Sequence, residues 1–232
     1  MKTRLIILIL LVYVSVFGQE KKKDSLLQPP KIFSFSPIHS KITQVNGLVV
    51  GAGHYENKRI NHQKINGINI DVLHPAPLLL MSFGLEIPFR SILMGLTYKD
   101  GTDMHILDSN DYQTTQLTMN GLNLSVGGFM NGTNFNGLNI SVFSATNRLN
   151  GISIAPVLNG SGVSNGVQIA ALSNFSVKGN GLQLGISNVS ERLHGIQIGL
   201  FNKSNDQRGI QLGLWNRNSK RSLPFINWQF KG

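Results

Sequence analysis

A short phrase recurs along this chain: a glycine, an alternation of aliphatic and polar residues, and then a polar turn. It reads Gly121-Leu122-Asn123-Leu124, Gly137-Leu138-Asn139-Ile140, Gly151-Ile152-Ser153-Ile154, Gly166-Val167-Gln168-Ile169, Gly181-Leu182-Gln183-Leu184, Gly195-Ile196-Gln197-Ile198 and Gly209-Ile210-Gln211-Leu212. Successive glycines stand 16, 14, 15, 15, 14 and 14 residues apart. A unit this short cannot offset the entropy lost in ordering it, so its copies must stack or pair with one another. The repeat constrains architecture strongly and biochemical activity weakly.

Within each copy the alternation has a period of two. Leu182, Leu184 and Ile186 fall on one side and Gln183, Gly185 and Ser187 on the other, the pattern of a β-strand with one buried face. The aliphatic side is expected to form the core. The middle polar column, Asn123, Asn139, Ser153, Gln168, Gln183, Gln197 and Gln211, is expected to face outward. No comparable stretch shows a helical period, so an all-β chain with almost no helix beyond the N-terminal segment is expected.

Two all-β architectures fit: a β-solenoid of stacked 14–16-residue repeats with a C-terminal cap strand, and an antiparallel meander closed as an outer-membrane β-barrel. A meander naturally repeats every two strands, whereas here the period is one strand with the same glycine start and a similar turn. Asn159, Asn174, Asn188 and Asn202 each precede the next glycine by seven residues, whatever the length of the copy. Asparagine tolerates left-handed turn conformations, and its amide can bond to identical neighbours above and below. These features favour the solenoid. The barrel remains the alternative, because it too has aliphatic outward positions, Asn-Gly turns and an aromatic final strand, here Phe225 to Phe230.

Met1-Lys2-Thr3-Arg4 followed by the apolar run Leu5 to Phe17 has the form of a secretory signal peptide, expected to occupy residues 1–18. Residues 19–43 read as a flexible linker and lead-in, 44–119 as divergent repeats with an inserted apolar segment between Asp71 and Gln116, 120–216 as regular repeats, and 217–232 as a C-terminal cap. The absence of cysteine removes disulfides, thiolate metal sites and a lipidated N-terminal cysteine from consideration. The formal charge is +10, and loss of Lys2 and Arg4 with the signal leaves +8. Such a chain is drawn to anionic partners. Export makes anionic glycans or lipid head groups the expected ones rather than nucleic acid, and the oligomeric state is left open.

The run Asn180-Gly181-Leu182-Gln183-Leu184-Gly185-Ile186, continued through Gly195 to Asn202 and Gly209 to Asn216 and closed by Arg221-Ser222-Leu223-Pro224-Phe225-Ile226-Asn227-Trp228, resembles the short surface-repeat proteins of Gram-negative bacteria. The resemblance covers roughly Gln44 to Phe230, with the closing segment its most specific part. It implies a bacterial envelope location and brings no catalytic residues with it.

Chemistry-bearing motifs are sparse. Gly162-Val163-Ser164-Asn165-Gly166 is a literal Gly-x-Ser-x-Gly, but it straddles a repeat turn and is followed by a strand rather than a helix. Asp100, Asp103, Asp108, Asn110 and Asp111 lack the spacing of a calcium loop, and His39, His54, His62, His74, His105 and His194 form no close ligand pair. No catalytic residue, metal site or cofactor is expected. Phe201 with Lys203, and Trp215 with Arg217, pair an aromatic ring with a cation and are the candidate binding surface for sugar rings or head groups. The expected function is that of an exported, non-enzymatic envelope repeat protein with a binding or structural role; a pore or transport role goes with the barrel, and a hydrolase comes a distant third.

Overall fold

The computed structural model describes residues 28–54, 62–72, 115–128 and 132–230. The expected signal peptide and most of the apolar insertion lie outside the described residues.

Eleven strands form one sheet in chain order: β1 (Lys31–Ser36), β2 (Gln44–Gly51), β3 (Gln63–Asp71), β4 (Leu117–Ser125), β5 (Thr133–Ser141), β6 (Phe143–Ile154), β7 (Leu158–Ile169), β8 (Ser173–Leu184), β9 (Ser187–Ile198), β10 (Phe201–Arg217) and β11 (Ser222–Gln229). All neighbours from β1 to β10 pair in parallel, and only β11 runs antiparallel, along β10. There is no helix among the described residues. The chain is a β-solenoid closed by a cap strand. The barrel alternative is overturned, because an up-and-down barrel requires antiparallel neighbours. The first coil begins at β1, within the stretch read as linker and lead-in.

Register is strict. Gly47, Gly67, Gly121, Gly137, Gly151, Gly166, Gly181, Gly195 and Gly209 lie in one column, each paired with the next. At Gly181 and Gly195 the backbone takes φ of +137° and +152°, and a Cβ at either would stand 2.0 Å from the carbonyl oxygen of the glycine one coil below. Only glycine satisfies both conditions. In the longer strands one residue per coil, such as Glu191, drops out of the ladder between two registered runs, Ser187 to Ser190 and Arg192 to Ile198. Each such coil therefore has two legs joined at corners.

The two faces are the reverse of the sequence expectation. Asn123, Asn139, Ser153, Gln168, Gln183, Gln197 and Gln211 are buried, whereas Leu184, Ile196, Ile198 and Leu212 are exposed to between 36% and 40%. The polar column forms a ladder inside the solenoid. Gln183 donates to Gln168 Oε1 at 2.9 Å, Gln197 to Gln183 and Gln211 to Gln197 at 2.8 Å each, and Asn227 of the cap donates to Gln211 at 3.1 Å. A buried carboxamide without partners costs several kcal/mol. Here the amides find partners at the coil spacing, identical ones along Asn69, Asn123 and Asn139 and along Gln168, Gln183, Gln197 and Gln211, with Ser153 between the two runs, so the interior is filled without that cost.

A second interior ladder lines the other leg. Asn174, Asn188, Asn202 and Asn216 are joined by three amide bonds of 2.8 Å, and the first three also donate to the carbonyls of Leu184, Ile198 and Leu212 at 2.9 Å. The N-terminal coils are filled differently, by Val45, Val49, Ile65, Met119, Phe135 and Leu149. The N-terminal coils thus combine the amide ladder of Asn69, Asn123 and Asn139 with an apolar column that ends at Leu149, where Ser164 and Gly179 follow in register.

Substitutions on the two faces should separate sharply. Gln183→Leu leaves buried donors and acceptors above and below unsatisfied and should cost about 1–3 kcal/mol, whereas Ile198→Ser should change stability by no more than about 0.5 kcal/mol. Urea-unfolding midpoints of the two variants check this, and the opposite ranking would restore an aliphatic core.

Candidate functional site

Outward-facing positions on the second leg of each coil form parallel columns that run along the axis. One column holds Leu48, Ile68, Leu122, Leu138, Ile152, Val167, Leu182, Ile196 and Ile210, and the next Val50, Ile70, Leu124, Ile140, Ile154, Ile169, Leu184, Ile198 and Leu212. The antiparallel cap continues both, with Trp228 opposite Ile210 and Ile226 opposite Leu212. An aliphatic sheet face is therefore turned outward along the solenoid.

Beside it the corner deepens into a groove of about 660 Å³. Gly185, Gly199 and Gly213 lie along it, Leu184, Ile198, Leu212, Leu200 and Leu214 line it, and Phe225 stands at its C-terminal end. The glycines are required from within. A Cβ on Gly199 would lie 1.9 Å from the carbonyl oxygen of Gly185 and 2.6 Å from the Asn188 amide. These glycines are thus set by the interior asparagine ladder, while the groove is lined by the outward residues that alternate with them.

On the other side of the aliphatic columns lies a polar strip. Asn46, Asn66, Asn120, Asn136, Asn150, Asn165 and Asn180 form an outward ladder, each later amide donating to the one before at 2.6 to 2.8 Å. Two residues further toward the strand starts stand Lys64, Arg148, Lys178 and Arg192, all exposed and in one registered column. The only acidic residue in that column among the described residues is Asp206.

The sequence-based binding residues divide. Phe201 and Trp215 occupy equivalent positions one coil apart, as do Lys203 and Arg217, because Asn202 and Asn216 between them share a ladder bond. Trp215 and Arg217 are exposed and Phe201 is half-buried, but Lys203 is only 3% exposed and does not belong to an accessible surface. The aliphatic face and its groove were missed, because the period of two shows that there are two faces without showing which is inside. A usable signal was the run of hydrogen-bonding residues Asn123, Asn139, Ser153, Gln168, Gln183, Gln197 and Gln211 against the free exchange of Leu, Ile and Val beside them: a buried ladder needs a polar partner in every coil, an open face does not.

The described residues hold no cluster of metal-ligating side chains. Ser164 is buried in the middle of β7, far from the geometry of a nucleophile elbow. The acidic cluster from Asp100 to Asp111, with His74 and His105, lies outside the described residues. His54 is buried at the N-terminal end with Ser36, Asn69 and Asp71. Its Nε2 lies 2.9 Å from Asn69 Oδ1 and 3.8 Å from Asp71, while Ser36 donates to Asp71 rather than to the imidazole. A nucleophile hydrogen-bonded to its base is not formed there, and the group serves to anchor the first coils.

No protein-family model matches the chain, and no curated protein and no solved structure is significantly similar to it.

Asp71→Ala removes the acceptor for Ser36 and for Asn69, whose amide lies 2.6 Å from it. The loss should be about 1–3 kcal/mol, and because each coil touches chiefly its neighbours it should be local. Hydrogen exchange should quicken in β1 to β3 and remain unchanged in β8 to β10.

Proposed function

We propose that this chain is an exported, non-enzymatic protein of the Gram-negative envelope, a stiff β-solenoid that binds or scaffolds at the cell surface, the outer membrane or the periplasm. The single observation that carries the reading is the outward aliphatic face with its groove. Contiguous exposed apolar surface beyond a few hundred Å² marks contact with a partner or a membrane, and a fold held together by its own interior ladders needs no such surface for stability. The N-terminal signal pattern and the resemblance to Gram-negative surface-repeat proteins point to the compartment. No cofactor is called for, and the partners are anionic glycan or lipid head groups, to which the cationic columns and the exposed Trp215 and Arg217 are suited.

Fractionation of Gram-negative cells making the full chain tests this. The protein should sediment with the envelope, be released by alkaline carbonate and show no heat-dependent shift in gel mobility. Recovery from the cytosol as the full-length precursor would overturn the reading.

A further inference from the structure

We infer that the outward aliphatic face is a docking surface for an anionic phospholipid bilayer, which the solenoid meets with its two aliphatic columns and the corner beside them. The inference rests on the envelope reading above and names the partner of that surface.

The leading edge has the composition of a membrane-interface element. Leu200 and Leu214 are exposed to 44% and 55% at the corner, with Ile198 and Leu212 behind them. At the C-terminal end Trp215, Trp228, Phe225 and Phe230 are exposed to between 45% and 71%. Aromatic rings of this kind settle at the head-group level. Phe225 holds a φ of +63°, rare for a bulky residue, and that backbone places it as the end wall of the groove.

A surface that enters lipid must not carry unpaired backbone groups. Much of the backbone at this corner is paired. Ile186 donates to Ala171, Phe201 to Ile186 and Trp215 to Leu200 at 2.9 to 3.4 Å, while Gly185 and Gly199 donate to the carbonyls of Ile198 and Leu212 at 3.0 to 3.1 Å. The ladder that joins the coils supplies these bonds from within.

The charges are placed to match. The column of Lys64, Arg148, Lys178 and Arg192 runs parallel to the aliphatic columns, four residues nearer the strand starts, or about 13 Å at ~3.3 Å per residue. With the aliphatic columns resting on the acyl boundary, where surface-bound apolar faces sit about 5–10 Å deep, this cationic column flanks them at the head groups. Arg208 adds to it, and Arg221 lies over the Trp228 ring at 4.8 Å.

A second copy of the chain fits less well. The aliphatic band from β2 to β11 spans nine strand spacings of ~4.8 Å and, with the corner leucines, three columns ~6.6 Å apart, about 43 by 13 Å. A stable dimer buries about 800 Å² on each partner. Reaching that area would draw the cationic column into the interface, where Asp206 is the one acid in register to meet it.

The test is flotation of the purified protein with vesicles of phosphatidylethanolamine and phosphatidylglycerol, compared with all-phosphatidylcholine vesicles, at low and high salt. The protein should float with the anionic vesicles, more at low salt, with a blue shift of Trp215 and Trp228 fluorescence. The triple variant Ile198→Ser, Leu200→Ser, Leu214→Ser should lose binding about tenfold with its β circular dichroism unchanged, and Arg148→Glu, Lys178→Glu, Arg192→Glu should lose the preference for anionic lipid. Failure of the wild type to float or shift its fluorescence would overturn the inference, as would a dimer that the serine variant turns into a monomer. Envelope retention in cells together with absence of vesicle binding would leave the envelope reading standing and remove lipid as the partner.

Discussion

The interaction on which the rest of this structure depends is the bond between a carboxamide in one coil and the same carboxamide in the next. Gln183 and Gln197, 14 residues apart, meet at 2.8 Å inside the solenoid, and Asn188 and Asn202 do the same on the opposite leg. Such a bond exists only if successive coils are in register and at strand spacing. A slip by one residue would break both interior ladders and the outward one at once, and would set side chains against the glycine column. Register, usually specified weakly in a long parallel sheet, is here specified several times per coil.

Because the ladders fill the interior, the ordinary division of polar outside and apolar inside is not enforced. The N-terminal coils set an apolar filling around Phe135 and Met119 beside their amide rungs Asn69, Asn123 and Asn139, and the end of that apolar column at Leu149 coincides with the most regular part of the repeat. An apolar filling tolerates variation in size from coil to coil, so the earlier copies can diverge in length and composition. A polar ladder is stricter, since each rung must present a hydrogen-bonding group at the same height, as Asn139 finds in Ser153 and Asn227 in Gln211. The regularity of the phrase from Gly166 onward is the trace of that requirement in the sequence.

Much of the fold was legible for the same reason. The constant distance from Asn174, Asn188 and Asn202 to the following glycine announced stacked parallel coils, and those asparagines do form a ladder. A cap strand at Phe225 to Trp228 was also readable, from a proline and an aromatic cluster that break the repeat, but its antiparallel direction was not. What was not legible was the sense of the alternation. An aliphatic column opposite a polar one ordinarily means a core opposite water, and nothing local to Leu184 or Gln183 distinguishes that case from its reverse. The distinction lies between coils, in polar side chains that pair from one coil to the next. Of the candidate binding residues, Trp215 and Arg217 were placed on the surface, while the burial of Lys203 depends on packing across the first leg, which spacing does not report.

The inversion also bears on function. A protein that relies on aliphatic burial for stability cannot turn its aliphatic residues toward a partner without weakening itself, so its contact surfaces are small. Here the stabilising bonds run along the axis through amides and backbone, and the aliphatic columns contribute little to holding coils together beyond side-by-side packing. They can therefore face outward over the whole length of the solenoid. Adding or removing a coil would change the length of that face in proportion without altering its chemistry, which suits contact with an extended surface better than with a ligand of fixed size. An elongated apolar band, the groove beside it and a cationic column in the same register together define a surface that repeats as the coil does, and a bilayer is a partner whose own surface is continuous on that scale.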